Sequence, residues 1–206
     1  MAETTAPLSE AELRFYLTRA TVGAGLGFGI GSDLARATLL ILREGEDCLA
    51  EVASALEAVE SGSSTMRFEP DEDALLGDVG TLSVQSDGKN KGSAIALAVV
   101  LGDLAASNVR QVRVRGEGID FPELCVRLAT ALLGPDMGVA VEVTANETRF
   151  SVQEIKEPQS GKPSWGGVSV DRGAWQRIIS LFKRCLVPSD EGSRLSGAGA
   201  GLVDED

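Results

Sequence analysis

The sequence predicts an α/β or α+β fold, in which an N-terminal helical layer packs with a small mixed sheet and a C-terminal helix. Three observations carry this expectation. Apolar residues recur at helical spacing through the first sixty positions. Beyond Thr81 the pattern switches to short strand-like runs alternating with helical ones, the order that lays helices on a sheet. A last stripe of Trp175, Ile178, Ile179, Phe182 and Leu186 has the spacing of an amphipathic helix.

The elements follow in order. Ser9 with Glu12 is a capping-box pattern, opening a helix that presents Leu13, Tyr16, Leu17 and Ala20 and ends near Gly23. Ser32-Asp33 reads as a second start, leading Leu34, Ala37, Leu40 and Ile41. A third helix is expected over 46–60, with Leu49, Val52, Ala53, Leu56 and Val59 on one side and acids opposite. Short connections between the three predict an antiparallel helical layer. Residues 61–80 read as an acidic connector around Glu69, Asp71, Glu72, Asp73 and Asp78, holding a short strand over 65–68.

A strand is expected around Leu82 and Val84, then an Ala- and Leu-rich helix over 93–107 and a period-2 strand over 109–115. Pro122 marks the first turn of a helix over 122–133. Runs 139–144 and 148–155 form a hairpin through Ala145-Asn146-Glu147. Residues 156–170 read as a surface loop, Asp171 caps the last helix, and Pro188 stops it. One domain is expected over 1–206, made of a helical part 8–60, the acidic connector 61–80, an α/β part 81–155, the loop 156–170 and a C-terminal helix with a glycine-rich tail 171–206.

Charge and composition remove whole classes of function. Thirty-one acidic residues stand against 19 basic ones, a formal net of −12. Such a chain repels nucleic acid, which needs clustered Lys and Arg; the one local exception is the alternation of Arg110, Arg113 and Arg115. The longest apolar run, Ala94 to Leu101, is far short of the roughly twenty residues that span a bilayer. With no secretory signal in MAETTAPLSEAE, the expectation is a cytoplasmic protein that contacts no membrane.

Histidine is absent, which removes the commonest general base, the usual triads and most zinc sites. Cys48, Cys125 and Cys185 are widely spaced and read as reduced thiols; no metal site and no cofactor fingerprint is found. The chemistry left to the chain rests on carboxylates, Lys, Tyr, Cys and backbone amides. Candidates are Glu12, Asp33, Tyr16 and Lys162 in the loop that holds Trp165, although helix capping already explains Glu12 and Asp33.

Two glycine segments stand out. In V-G-A-G-L-G-F-G-I-G the glycines fall at 23, 25, 27, 29 and 31, a spacing that fails the dinucleotide fingerprint. Placed before a helix start, Gly25, Gly27, Gly29, Ser32 and Asp33 are candidate binding residues. The alternative is a helix–helix connection whose glycines permit close packing. The tail S-R-L-S-G-A-G-A-G-L-V-D-E-D supplies Arg194, Gly197, Gly199, Gly201, Asp204 and Asp206 as a second candidate set.

These segments also carry a resemblance. L-S-E-A-E-L, A-T-V-G-A-G-L-G-F-G and D-L-A-R-A resemble the opening of an uncharacterised bacterial family, a domain of unknown function. The ending V-P-S-D-E-G-S-R-L-S-G-A-G-A-G-L-V-D-E-D resembles that family's ending, a Gly-Ala-Gly-Ala-Gly run before terminal aspartates. The resemblance implies a full-length chain and a tail that docks, and brings no activity, cofactor or substrate with it. The function expected is an accessory subunit or small-molecule binding protein of bacterial metabolism. The alternatives are a His-independent enzyme using carboxylates in a glycine-lined pocket, and a structural homo-oligomer joined through the apolar helix at 94–101. The expected partners are a protein, a second copy of the chain or a small-molecule ligand.

Overall fold

The computed structural model describes residues 7–65, 68–70, 81–86, 90–106, 111–115, 118–144, 147–154 and 167–186. Helix α1 spans Glu10–Gly23 and begins with the reciprocal cap its sequence specifies. The Ser9 hydroxyl accepts from the Glu12 amide at 3.2 Å, and the Glu12 carboxylate accepts from the Ser9 amide at 2.8 Å. Helix α2 covers Phe28–Arg43 and therefore starts ahead of Ser32-Asp33. Gly27, in extended backbone, is its cap, and the Gly31 amide already closes the first turn onto the Gly27 carbonyl at 3.1 Å. The early start has a packing cause: Gly31 is pressed against Thr18 of α1, and only a helical turn before Ser32 delivers it there. Helix α3 spans Leu49–Glu60, later than expected, because the Asp47 side chain accepts from the Leu49 amide at 3.0 Å.

The strand expected over 65–68 resolves into two short ones, β1 at Ser64–Thr65 and β2 at Phe68–Pro70. Strand β3 spans Thr81–Ser86, β4 Lys91–Gly92, and helix α4 Ala94–Ala106, followed by β5 at Gln111–Arg115. Strands β3 and β5 are parallel neighbours, so α4 is the crossover a parallel pair requires. Helix α5 runs Pro122–Leu133 as its sequence predicts, and the hairpin forms from β6 at Met137–Val143 and β7 at Glu147–Glu154. Its second strand pairs antiparallel with β5, giving a five-stranded mixed sheet in the order β2-β3-β5-β7-β6. Strands β1 and β4 make a separate parallel pair. The fold class is the expected mixture of helices and a small mixed sheet.

Alternation along the strands separates two faces. Val112, Val114, Val139 and Phe150 are buried, whereas Gln111, Arg113, Glu142, Arg149 and Ser151 occupy the other face. On the edge strand β6, Thr130 of α5 accepts from the Val139 amide at 3.0 Å, satisfying a donor that an open edge would leave free.

One apolar cluster joins the helices to the sheet, running from Leu13 and Leu17 through Leu34, Leu56 and Leu97 to Val114 and Phe150. Helix α4 lies inside it. Ala94 through Ala98 are all buried, and five consecutive residues sweep the whole circumference of a helix. In the run that the homo-oligomer alternative would use, Ala94 through Ala98 and Leu101 are buried within the chain, and Val100 is exposed. Helix α6, Arg172–Cys185, is capped by Asp171, whose carboxylate accepts from the Ala174 amide at 2.8 Å. No described helix is long and apolar enough to cross a membrane.

Candidate functional site

Helix α4 follows β3 through the short β4, and α5 follows β5, the parallel neighbour of β3; hydrogen bonds between the segments before the two helices bring their N-termini together. Three extended segments meet there. Strand β1 pairs with β4, and Gly92 bridges in parallel to Ile119. The Gly92 amide donates to the Gly118 carbonyl at 2.8 Å, and the Asp120 amide donates back to the Gly92 carbonyl at 3.0 Å. Ser93 is wholly buried; its amide donates to the Thr65 carbonyl at 2.8 Å and its hydroxyl accepts from the Ala96 amide at 3.4 Å.

At the centre is Asp120, the one charged side chain buried among the described residues, at 7% exposure. Its carboxylate accepts from the Ser64 hydroxyl and, at 2.6 Å, from the Ala94 amide at the start of α4. Burial pushes this carboxyl above its usual range, while the Ser64 and Ala94 hydrogen bonds and the charge of Lys91 pull it back only in part. Phe121 follows with φ 42° and ψ 56°, the only described residue other than glycine in the left-handed region. An aromatic side chain held there costs on the order of 1–3 kcal/mol, and such outliers gather at functional sites. Asp120 thus holds an acceptor at an α-helix start, a hydroxyl and a strained turn in one place.

The residues picked out by sequence are distributed differently. Gly25 has φ +96°, a conformation that favours glycine, and closes α1 onto the loop before α2. Gly27 and Gly29 are exposed, with open space where a side chain would stand. The glycines that make contacts are the outer pair. A Cβ on Gly23 would lie 1.9 Å from the Leu181 carbonyl oxygen of α6, and one on Gly31 would lie 2.6 Å from that of Thr18. Ser32 is exposed, and Asp33 pairs with Arg36 at 3.4 Å on α2 itself, well inside the helix. Close packing therefore accounts for two of the five glycines. Glu12 belongs to the α1 cap, and Tyr16 stacks edge-on between Trp175 and Phe182, at 5.3 and 4.9 Å between centroids. Lys162, Trp165, Arg194, Gly197, Gly199, Gly201, Asp204 and Asp206 lie outside the described residues.

Sequence reading passed over Ser64, Ser93 and Asp120. A local signal existed for two of them: Ser93 stands just before the apolar run of α4, and Asp120 two residues before the helix-starting Pro122. A cavity of about 500 Å³ opens between α3 and α6, lined by Ser54, Glu57, Ser61, Arg177 and Arg184. Its charges satisfy one another, Arg177 gripping Glu57 and Arg184 gripping Glu60. Comparison with family models, curated proteins and solved structures finds no match for this chain.

Proposed function

We propose that this chain is a small-molecule binding or accessory protein whose ligand site is the junction around Asp120. The observation that carries the reading is a buried carboxyl at the carboxyl ends of β3 and β5, where two helices begin. In open α/β sheets ligands lie outside the carboxyl ends of the strands, because loops and helix starts there bring backbone donors together. Gly92 and Gly118 bond to one another beside Asp120, and the neighbouring Lys91 is exposed. A cytoplasmic setting accords with the three cysteines, all unpaired, two of them buried.

A second reading, a His-independent enzyme, is favoured by one specific feature. A buried carboxyl held toward its protonated form beside a serine hydroxyl is a group that can pass a proton to a bound molecule. Glu12 and Asp33 no longer enter that reading.

Native mass spectrometry of the untagged chain, purified from its own cells, tests the proposal. A bound small molecule is expected on the wild type and is lost from Lys91→Ala and Asp120→Asn variants that keep their helical circular dichroism. Retention of the same molecule by both variants places its site elsewhere. A bound molecule that leaves chemically altered favours the enzyme.

A further inference from the structure

The polar face of the sheet carries a feature that packing does not explain. Strands β5 and β7 pair so that Arg113 lies directly opposite Arg149. The Cβ atoms of such partners stand roughly 4.5–5.5 Å apart, and like charges set against one another across strands destabilise the pairing. Arg149 is answered by Glu147 on its own strand at 2.9 Å and by Glu142 of β6 at 3.3 Å. Both contacts use its Nη atoms, and its Nε is buried without an acceptor. Arg113 has the amide oxygen of Gln111, at 3.0 and 3.2 Å, and no carboxylate partner among the described residues. Arg113 and Arg149 therefore face one another with both carboxylates on the Arg149 side, in a chain whose net charge is −12.

We propose that Arg113 and Arg149 form an oxyanion site, taking the phosphate or carboxylate group of a small molecule. Two neighbouring guanidinium forks present paired N–H donors that match the paired oxygens of either group. Glu142 is the partner such a group replaces, since its bond is the longer of the two and its side chain is 66% exposed. Surface pairs of that kind contribute little. The bound oxyanion then sits between the two positive charges, offsets their repulsion and gives Arg113 a charged acceptor in place of the neutral Gln111 oxygen. This site lies on the opposite face from the buried Val112 and Val114 and stands independently of the Asp120 junction.

Inorganic phosphate and malonate, titrated separately into the full chain at low ionic strength, test the site through the arginine Nε–Hε signals. Saturable shifts confined to Arg113 and Arg149 are expected, and the anion that saturates first identifies the chemistry. Arg113→Lys and Arg149→Lys keep the charge and lose the fork, and each should weaken binding about tenfold or more, since one broken charge-assisted fork is worth at least a factor of ten. Arg36→Gln, an exposed arginine on α2 paired with Asp33, should leave it unchanged. Shifts that never saturate, or equal affinity in the wild type and Arg113→Lys, overturn the proposal. Arg113→Lys decides the matter if Arg149→Lys does not fold, because Arg113 bonds to Gln111 alone among the described residues.

Discussion

The contact of α1 with α2 and α6, and the junction around Asp120, hold the molecule together by opposite means. At the first, backbones approach so closely that only hydrogen fits, with Gly23 on Leu181 and Gly31 on Thr18. Aromatic side chains fill the rest of that contact, Tyr16 lying between Trp175 and Phe182. At the second, one carboxylate ties β1 to the start of α4 through two hydrogen bonds. Shape decides the first region and polar satisfaction the second. One should therefore fail when a methyl group is added, the other when an acceptor is removed.

The largest expected effect is Gly23→Ala. A Cβ there would meet a carbonyl oxygen at 1.9 Å and the carbonyl carbon at 2.9 Å, and backbone cannot rotate aside as a flexible side chain would. Helix propensity alone favours alanine by about 1 kcal/mol. Overpacking against backbone reverses that sign, and the variant should lose about 3 kcal/mol or more. Urea unfolding of the variant beside the wild type measures the difference. A stabilised variant would mean that α1 and α6 are not in contact at this point.

Asp120→Ala comes next. It leaves the Ser64 hydroxyl and the Ala94 amide without their acceptor in a buried place, a loss of about 2–3 kcal/mol. Asp120→Asn keeps an acceptor of the same shape and should cost about 1 kcal/mol. The pair separates polar satisfaction from volume, which is the contrast with Gly23.

The same residue gives the pH dependence its sign. Because burial raises the Asp120 carboxyl above its unfolded range, the folded state holds this proton more tightly than the unfolded one. Its contribution is full below the unfolded aspartate range, near pH 3.9, and declines as pH rises through the folded value. Glu10 and Glu57, held low by Arg14, Arg43 and Arg177, act in the reverse direction and lose their contribution as pH falls. The stability of the wild type relative to Asp120→Asn should therefore decrease from acid toward neutral pH. Denaturation at several pH values reads that difference directly, and a rising difference would contradict the burial of this carboxyl.

What the sequence disclosed follows the distance over which each choice is made. The Ser9–Glu12 cap, Pro122 at the start of α5, Asp171 before α6 and the β6–β7 hairpin are settled within a few residues, and each was readable. The start of α2 was misplaced because a long-range contact, Gly31 on α1, overrides a good local cap at Ser32-Asp33. Asp120 escaped notice because its two partners lie 56 and 26 residues away. Five alternating glycines look alike in a sequence, and only their neighbours in space divide them.

That division supplies the smallest and sharpest test. Gly29 lies in the first turn of α2 with nothing within 4 Å of where a Cβ would stand, and it is exposed. Alanine there meets no atom and removes the entropy that glycine brings to the unfolded chain, so Gly29→Ala should stabilise by about 0.5–1 kcal/mol. Gly31→Ala, two residues on, meets the Thr18 carbonyl oxygen at 2.6 Å and should destabilise. Opposite signs from two identical substitutions two positions apart cannot come from propensity, which treats both glycines alike. Equal effects in urea unfolding would mean that the α1–α2 contact does not govern the run. If Gly29→Ala instead leaves stability unchanged while abolishing a binding event, the exposed glycines serve a ligand and not the fold.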